Sequence, residues 1–173
     1  MARVGDGPLR HVLEGLPNLE VTGWREHRDA LRLIATVDAV LHASRWEGMP
    51  NALLEAMALA KPVVVSDVVG TRDVVEDGVD ALLVREVYAA EPYLAALERL
   101  AQDPALRDAL GARARARVFR DHDARVIAAR WEAVYRQTRA DFARARSASA
   151  RLSSTHAKRR NQCAPNHPLS SGR

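Results

Sequence analysis

This sequence of 173 residues has one cysteine and no long apolar run. The single cysteine, Cys163, excludes a disulfide within the chain and fits a reducing compartment. No apolar run reaches the roughly 20 residues that cross a bilayer, and the opening Met-Ala-Arg-Val-Gly-Asp-Gly-Pro is not a signal peptide. We therefore predict a cytoplasmic protein without a transmembrane segment, and leave peripheral association with a membrane open.

Excess positive charge is missing from most of the chain, although the formal net charge is +4. Residues 147–173 carry five basic residues and no acidic ones, and subtracting those five from +4 leaves −1 for residues 1–146. Ser, Arg, Pro and Asn dominate residues 147–173 without apolar periodicity, which predicts a disordered basic tail. Residues 1–146 have the length and composition of one globular domain, and we predict no nucleic-acid partner.

Short apolar runs alternate with helical patterns in the first half of the chain. This alternation predicts parallel βαβ units with right-handed crossovers. We therefore predict an α/β fold, with a Rossmann-like parallel sheet, helices on both faces and a helical C-terminal part from Glu91. In such sheets ligands bind beyond the carboxyl ends of the strands. The loops at those ends follow Gly5, Gly23, Leu41 and Val65.

Residues 41–69 form the most informative stretch, which reads as strand, loop, helix and strand. Pro50 suits the first helical position, because it lacks an N–H that would be unpaired there. A helix N-terminus favours an anion, and Gly48 allows close approach of its backbone. Glu47 precedes the helix and Glu55 lies eight positions later, roughly 7 Å along its axis. That separation suits two hydroxyl groups on one extended anionic ligand rather than a close catalytic pair.

The motif E-G-M-P-N-A-L-L-E-A-M-A, followed by K-P-V-V-V, resembles the E-x7-E region of retaining GT-B glycosyltransferases, especially glycosyltransferase family 4. The resemblance implies the C-terminal, donor-binding domain of such an enzyme. It assigns Glu47, as the catalytic residue, to the donor sugar and Glu55 to the nucleotide ribose. Amides of the segment Gly48, Met49, Pro50 and Asn51 would hold the sugar and phosphates.

Two further segments resemble the same family. V-G-D-G-P-L, which contains Gly5, resembles the segment after the second strand of the donor domain, and G-W-R places Trp24 and Arg25 near the nucleotide base. An ordinary turn remains the alternative for each. The chain departs from the family pattern at three positions. It has Ala60 and Val69 where glycine is common, and Asp73 where glutamate is common.

Arginine and aspartate patterns near the C-terminus invite other interpretations. Arg113, Arg115, Arg117 and Arg120 are spaced around a helix rather than on one face, which favours a solvated surface. Asp121-His122-Asp123 matches the D-x-D pattern of metal-dependent glycosyltransferases of another fold. Because it precedes a helix pattern, we interpret it as a helix cap and predict no metal site.

The resemblance covers residues 2–140 and begins inside the donor domain, so the acceptor domain and the Arg and Lys that bind the diphosphate are not matched. We predict a glycosyltransferase donor domain that binds a nucleotide diphosphate sugar without a cofactor, completed by a partner or a missing N-terminal domain. The alternatives are a non-catalytic nucleotide-sugar-binding module and an unrelated Rossmann-like protein. No P-loop or G-x-S-x-G motif is present.

Overall fold

The structure is a computed structural model that describes residues 1–8 and 10–162, with side chains described as far as Arg146. The chain divides into two units, the first comprising Met1–Asp123 and the second beginning at Ala124. Cys163 lies outside the described residues.

Five parallel strands and six helices make up the described part of the first unit. Strands β1 (Ala2–Arg3) and β2 (Glu20–Val21) form one pair, and β3 (Val40–His42), β4 (Val63–Ser66) and β5 (Leu82–Val84) form a three-stranded sheet in that order. The helices are α1 (Arg10–Leu13), α2 (His27–Thr36), α3 (Asn51–Ala58), α4 (Val69–Arg72), α5 (Glu91–Gln102) and α6 (Pro104–Asp121). The predicted α/β class with parallel strands is confirmed.

Strand β4 lies at the centre of the core, and all four of its residues are buried. Because side chains alternate along a strand, Val63 and Val65 pack into one apolar cluster with α3 and α6, and Val64 packs into a second with α5 and α6. Leu53 belongs to the first cluster and Leu100 to the second. Helices therefore cover both faces of the three-stranded sheet, as the sequence predicts.

A close contact between α6 and the end of α3 fixes the helix that follows Glu47. A Cβ added at Gly111 would lie 2.1 Å from the carbonyl oxygen of Ala60, so only glycine fits there. Arg115 Nη1 donates to the carbonyl of Ala58 at 2.6 Å, which satisfies a carbonyl at the C-terminus of α3.

The arginines of α6 do not all lie on a solvated surface, so that prediction is wrong for Arg117. Its guanidinium forms ion pairs with Asp80, which is 2% exposed, and with Glu76 at 2.8 Å. Burial opposes the charged form, but hydrogen bonds and attraction from Asp80 and Glu76 outweigh it and raise the pKa of Arg117. Arg113 is exposed, and among the described residues it bonds only within its own helix, to Ala109.

The second unit contains helix α7, which spans Ala124–Gln162. Ion pairs one turn apart join Arg136 to Glu132 and Arg144 to Asp141 on its surface. The described helix extends to Gln162, where Ala, Leu, Arg and Lys favour a helix. Disorder of the tail from residue 147 stays a prediction of the sequence, and residues 163–173 lie outside the described part. Within the described residues, no helix combines the length and apolar character needed to cross a membrane.

Candidate functional site

Two loops meet beyond the carboxyl ends of β3 and β4. The first, residues 43–50, carries Glu47 and leads into α3; the second leads from β4 into α4. A Cβ added at Gly70 would lie 2.5 Å from the Glu47 carbonyl oxygen and 2.6 Å from that of Gly48. The absence of a side chain at Gly70 therefore lets the loops touch, backbone against backbone.

Glu47 is partly buried and bonded to a histidine from the preceding strand. Its Oε1 lies 2.8 Å from Nε2 of His42, and the two side chains are 20% and 17% exposed. Ser44 Oγ lies 3.3 Å from the same nitrogen. The carboxylate is thus held at the carboxyl end of β3, where the parallel sheet predicts a ligand site.

Glu55 lies on α3 and is bonded to the first residue of α2. Its Oε1 lies 2.9 Å from Nε2 of His27; Glu55 is 32% exposed and His27 is 71% exposed. The two glutamates therefore bond to different histidines rather than to each other. This agrees with the expectation that they do not form a close catalytic pair.

The start of α3 presents backbone rather than a side-chain cap. Pro50 is buried and occupies the N-cap position, whereas the sequence predicts it at the first helical position, one place later. Its carbonyl accepts from the amides of Leu53 and Leu54 at 3.0 and 3.1 Å. No side chain caps the helix at Pro50. Met49 is 58% exposed, and Gly48 and Asn51 are exposed too. An anion at this end would meet the positive end of the helix dipole.

The predicted nucleotide-side residues lie on two adjacent loops. The amide of Gly5, at φ +116°, donates to the carbonyl of Gly23 at 2.9 Å. Trp24 and Arg25 directly follow Gly23 and are exposed. Since this loop leads into His27, the bond from His27 to Glu55 links it to α3. Trp24 and Arg25 thus lie on the loop that leads into the helix bonded to α3, and Gly5 lies beside Gly23.

Two arginine side chains near the site interact with neighbouring groups. The Arg45 guanidinium lies 5.3 Å from the centre of the Tyr88 ring, a cation–π distance. Arg72 bonds to Asp67, and this hydrogen bond raises the pKa of Arg72. Arg45 lies on the first loop and Arg72 on α4, so the site has cationic neighbours, but within the described part of the chain no arginine is bonded to Glu47 or Glu55.

Sequence reasoning missed His42 and His27 as partners of the two glutamates. The available signal for His42 was a polar residue at the end of an apolar strand, five residues before Glu47.

At Asp121-His122-Asp123, α6 ends at Asp121 and His122 is its C-cap. Among the described side chains, no three His, Cys, Asp or Glu residues are grouped so that they could hold a metal ion.

Comparison with known proteins adds four findings. A family model described as "Glycosyl transferases group 1" matches residues 1–103. The chain is 33% identical over 111 residues to the alpha-D-kanosaminyltransferase of Streptomyces kanamyceticus, a match that covers 60% of this chain and 28% of that enzyme.

Solved structures give the remaining two likenesses. The sucrose-phosphate synthase (tll1590) from Thermosynechococcus elongatus aligns with a TM-score of 0.65 and 28% identity, over 71% of this chain and 31% of the synthase. The Anabaena Alr3699/HepE complex with UDP-glucose aligns with a TM-score of 0.65 and 26% identity, over 79% of this chain and 40% of that one. The chain thus spans less than half the length of each of these proteins.

Proposed function

The chain belongs to the glycosyl transferases group 1 family, and we propose that it is the donor-binding part of a retaining glycosyltransferase. The observation that carries the proposal is the placement of Glu47 and Glu55. Both lie on one loop–helix segment at the carboxyl end of a parallel sheet, and they face different partners. Its fold is that of the GT-B glycosyltransferases.

In this proposal the ligand is a nucleoside diphosphate sugar that lies along the start of α3. Glu47 accepts a hydrogen bond from a hydroxyl of the sugar, and Glu55 accepts one from the ribose. The backbone of Gly48, Met49 and Asn51 lies at the positive end of the helix and receives the phosphates. The Asn51 amide donates to the Met49 carbonyl at 3.0 Å, so a phosphate there would share or replace that bond. The sugar and the ribose then occupy opposite ends of one extended site.

The nucleoside part of the ligand is proposed to extend towards the loop that follows β2. Trp24 is 70% exposed and offers a face for a base, and Arg25 adds positive charge beside it. Gly5 lies next to this loop through its bond to Gly23, and a Cβ there would meet nothing within 4 Å. That open space leaves room for a ligand beside the Gly5 backbone.

Transfer of the sugar needs groups that the matched segment does not supply. We propose a metal-independent reaction in which fixed donors and positive charge stabilise the departing diphosphate. The acceptor-binding domain, and the Arg and Lys that bind the diphosphate in the family, would come from further N-terminal sequence or from a partner subunit. Location in the cytoplasm, with peripheral association at a membrane, stays a prediction of the sequence.

A non-catalytic nucleotide-sugar-binding module is the second candidate. It is favoured by one observation, namely that Arg45 and Arg72 near the site are engaged by Tyr88 and Asp67. The two candidates share a donor site and differ in whether a reconstituted complex transfers the sugar. Binding must therefore be tested first.

Titration calorimetry with UDP, GDP, ADP and their common sugar conjugates tests the donor site. We expect the chain to bind one nucleotide family in preference to the others. Glu55→Ala should weaken that binding by about 1–3 kcal/mol, because a ribose hydroxyl loses its acceptor. Glu98→Ala, an exposed glutamate on α5, is the matched control. Equal affinity of Glu55→Ala and the control, or no binding at millimolar ligand, would contradict the proposal.

A further inference from the structure

His42 stands at the junction between a rigid strand and the loop that carries Glu47. It is the last residue of β3 and lies opposite Val65 in the central strand. Glu47 lies on the irregular loop that follows. The bond from His42 Nε2 to Glu47 Oε1, at 2.8 Å between two side chains at most one-fifth exposed, therefore ties a loop carboxylate to the sheet.

The tautomer of His42 decides which group donates in this hydrogen bond. An ionised carboxylate only accepts hydrogen bonds, so the short contact requires a hydrogen on His42 Nε2. Ser44 Oγ, at 3.3 Å from the same nitrogen, is the weaker second contact. The bond uses one lone pair of Glu47 Oε1, which leaves Oε2 and the second lone pair of Oε1 to accept from a ligand hydroxyl.

We propose that His42 is a positioning residue for Glu47. The Nε2–H of His42 holds the carboxylate in the orientation in which it accepts a hydrogen bond from the donor sugar. The inference rests on the proposed function, since it assigns Glu47 to the sugar. It adds that discrimination between a nucleotide sugar and the bare nucleotide depends on a residue that does not touch the ligand.

Two substitutions at His42 distinguish a role in positioning Glu47 from a general role in folding. His42→Leu removes the donor and puts an apolar side chain in its place, whereas His42→Gln retains an N–H donor near the position of Nε2. The probe pairs are UDP with UDP-glucose and GDP with GDP-mannose, measured by calorimetry. For the pair that binds, we expect His42→Leu to lose about tenfold in affinity for the conjugate and to keep its affinity for the diphosphate. His42→Gln should recover most of the loss.

Nitrogen NMR of the histidine rings tests the pair without any ligand. We expect His42 to be the Nε2–H tautomer at neutral pH, and Glu47→Gln to perturb its ring nitrogens. Glu98→Gln should leave them unchanged, and the exposed His11 serves as a reference signal.

The outcomes are distinguishable. An Nδ1–H tautomer at His42 would overturn the proposal, whatever the chain binds. It would also be overturned if His42→Leu and the wild type had the same ratio of conjugate affinity to diphosphate affinity. Equal losses of conjugate affinity in His42→Leu and His42→Gln would overturn it as well. If the wild type binds no nucleotide, the proposed function fails, and the ring tautomer and its response to Glu47→Gln then decide the His42 proposal by themselves.

Discussion

Gly70 packs directly against the peptide carbonyl of Glu47, where an added Cβ would lie 2.5 Å from the oxygen. A methyl group there must displace the loop that carries Glu47. We expect Gly70→Ala to lower the free energy of unfolding by about 1–3 kcal/mol and to weaken nucleotide-sugar binding, measured by urea denaturation and calorimetry. Gly7→Ala is the control, because its Cβ would meet nothing closer than 4.0 Å. Identical behaviour of the two variants would refute the packing argument.

Ala60 adopts a left-handed backbone conformation, with φ +56°, directly after Leu59, the C-cap of α3. A residue with a Cβ is disfavoured there by roughly 1–2 kcal/mol, and glycine is the usual residue at this position of a helix end. We expect Ala60→Gly to raise the free energy of unfolding by about 1 kcal/mol. Ala112→Gly, an exposed site within α6, should lower it by about 1 kcal/mol. A loss of stability in both variants would show that Ala60 is not strained.

Asp80 is buried at 2% exposure and depends on Arg117 to balance its charge. Arg117→Met would leave this carboxylate without its cation, and we expect a loss of about 3 kcal/mol in stability. Arg113→Met removes a charge from the same helix at an exposed site, where the guanidinium bonds to the Ala109 carbonyl of that helix. Chemical denaturation should show less than about 0.5 kcal/mol change for that control. A small effect of Arg117→Met would mean that Asp80 finds another partner.

Tyr93 and Ser66 share a buried hydrogen bond of 2.8 Å between their hydroxyl groups. Tyr93→Phe keeps the ring and leaves the Ser66 hydroxyl without this partner, so stability should fall by about 1–2 kcal/mol. Tyr88→Phe is the matched control, because Tyr88 is 79% exposed. The comparison uses thermal and urea unfolding. Equal stability of the two variants would mean that the Ser66 hydroxyl does not need Tyr93.

Local patterns in the sequence were sufficient to predict most of the secondary structure around the site. Helix α3 forms where the sequence predicts it, because Pro50 and the helix formers after it act within a few residues. It begins at Asn51, one residue after the predicted first position, Pro50. The run of residues 63–65 forms a buried parallel strand for the same reason: three β-branched residues suit burial on both faces.

The partners of the site residues could not be read from local patterns. His27 and Glu55 are 28 positions apart, and Arg117 and Asp80 are 37 apart, so each contact depends on how whole elements pack. The spacing of the α6 arginines predicts a surface position for Arg117, because that spacing describes one helix without the neighbours that pack against it. Likewise, the need for glycine at Gly70 follows from a loop that lies more than 20 positions earlier in the sequence.

The central claim is that Glu47 and Glu55 hold different parts of one nucleotide sugar. The most direct test is calorimetric titration of Glu47→Gln and Glu55→Gln with a nucleoside diphosphate and with its sugar conjugate. We expect Glu55→Gln to weaken both ligands by a similar factor and Glu47→Gln to weaken only the conjugate. If Glu47→Gln weakens both ligands equally, or if Glu55→Gln weakens neither, the two glutamates do not divide the donor between them.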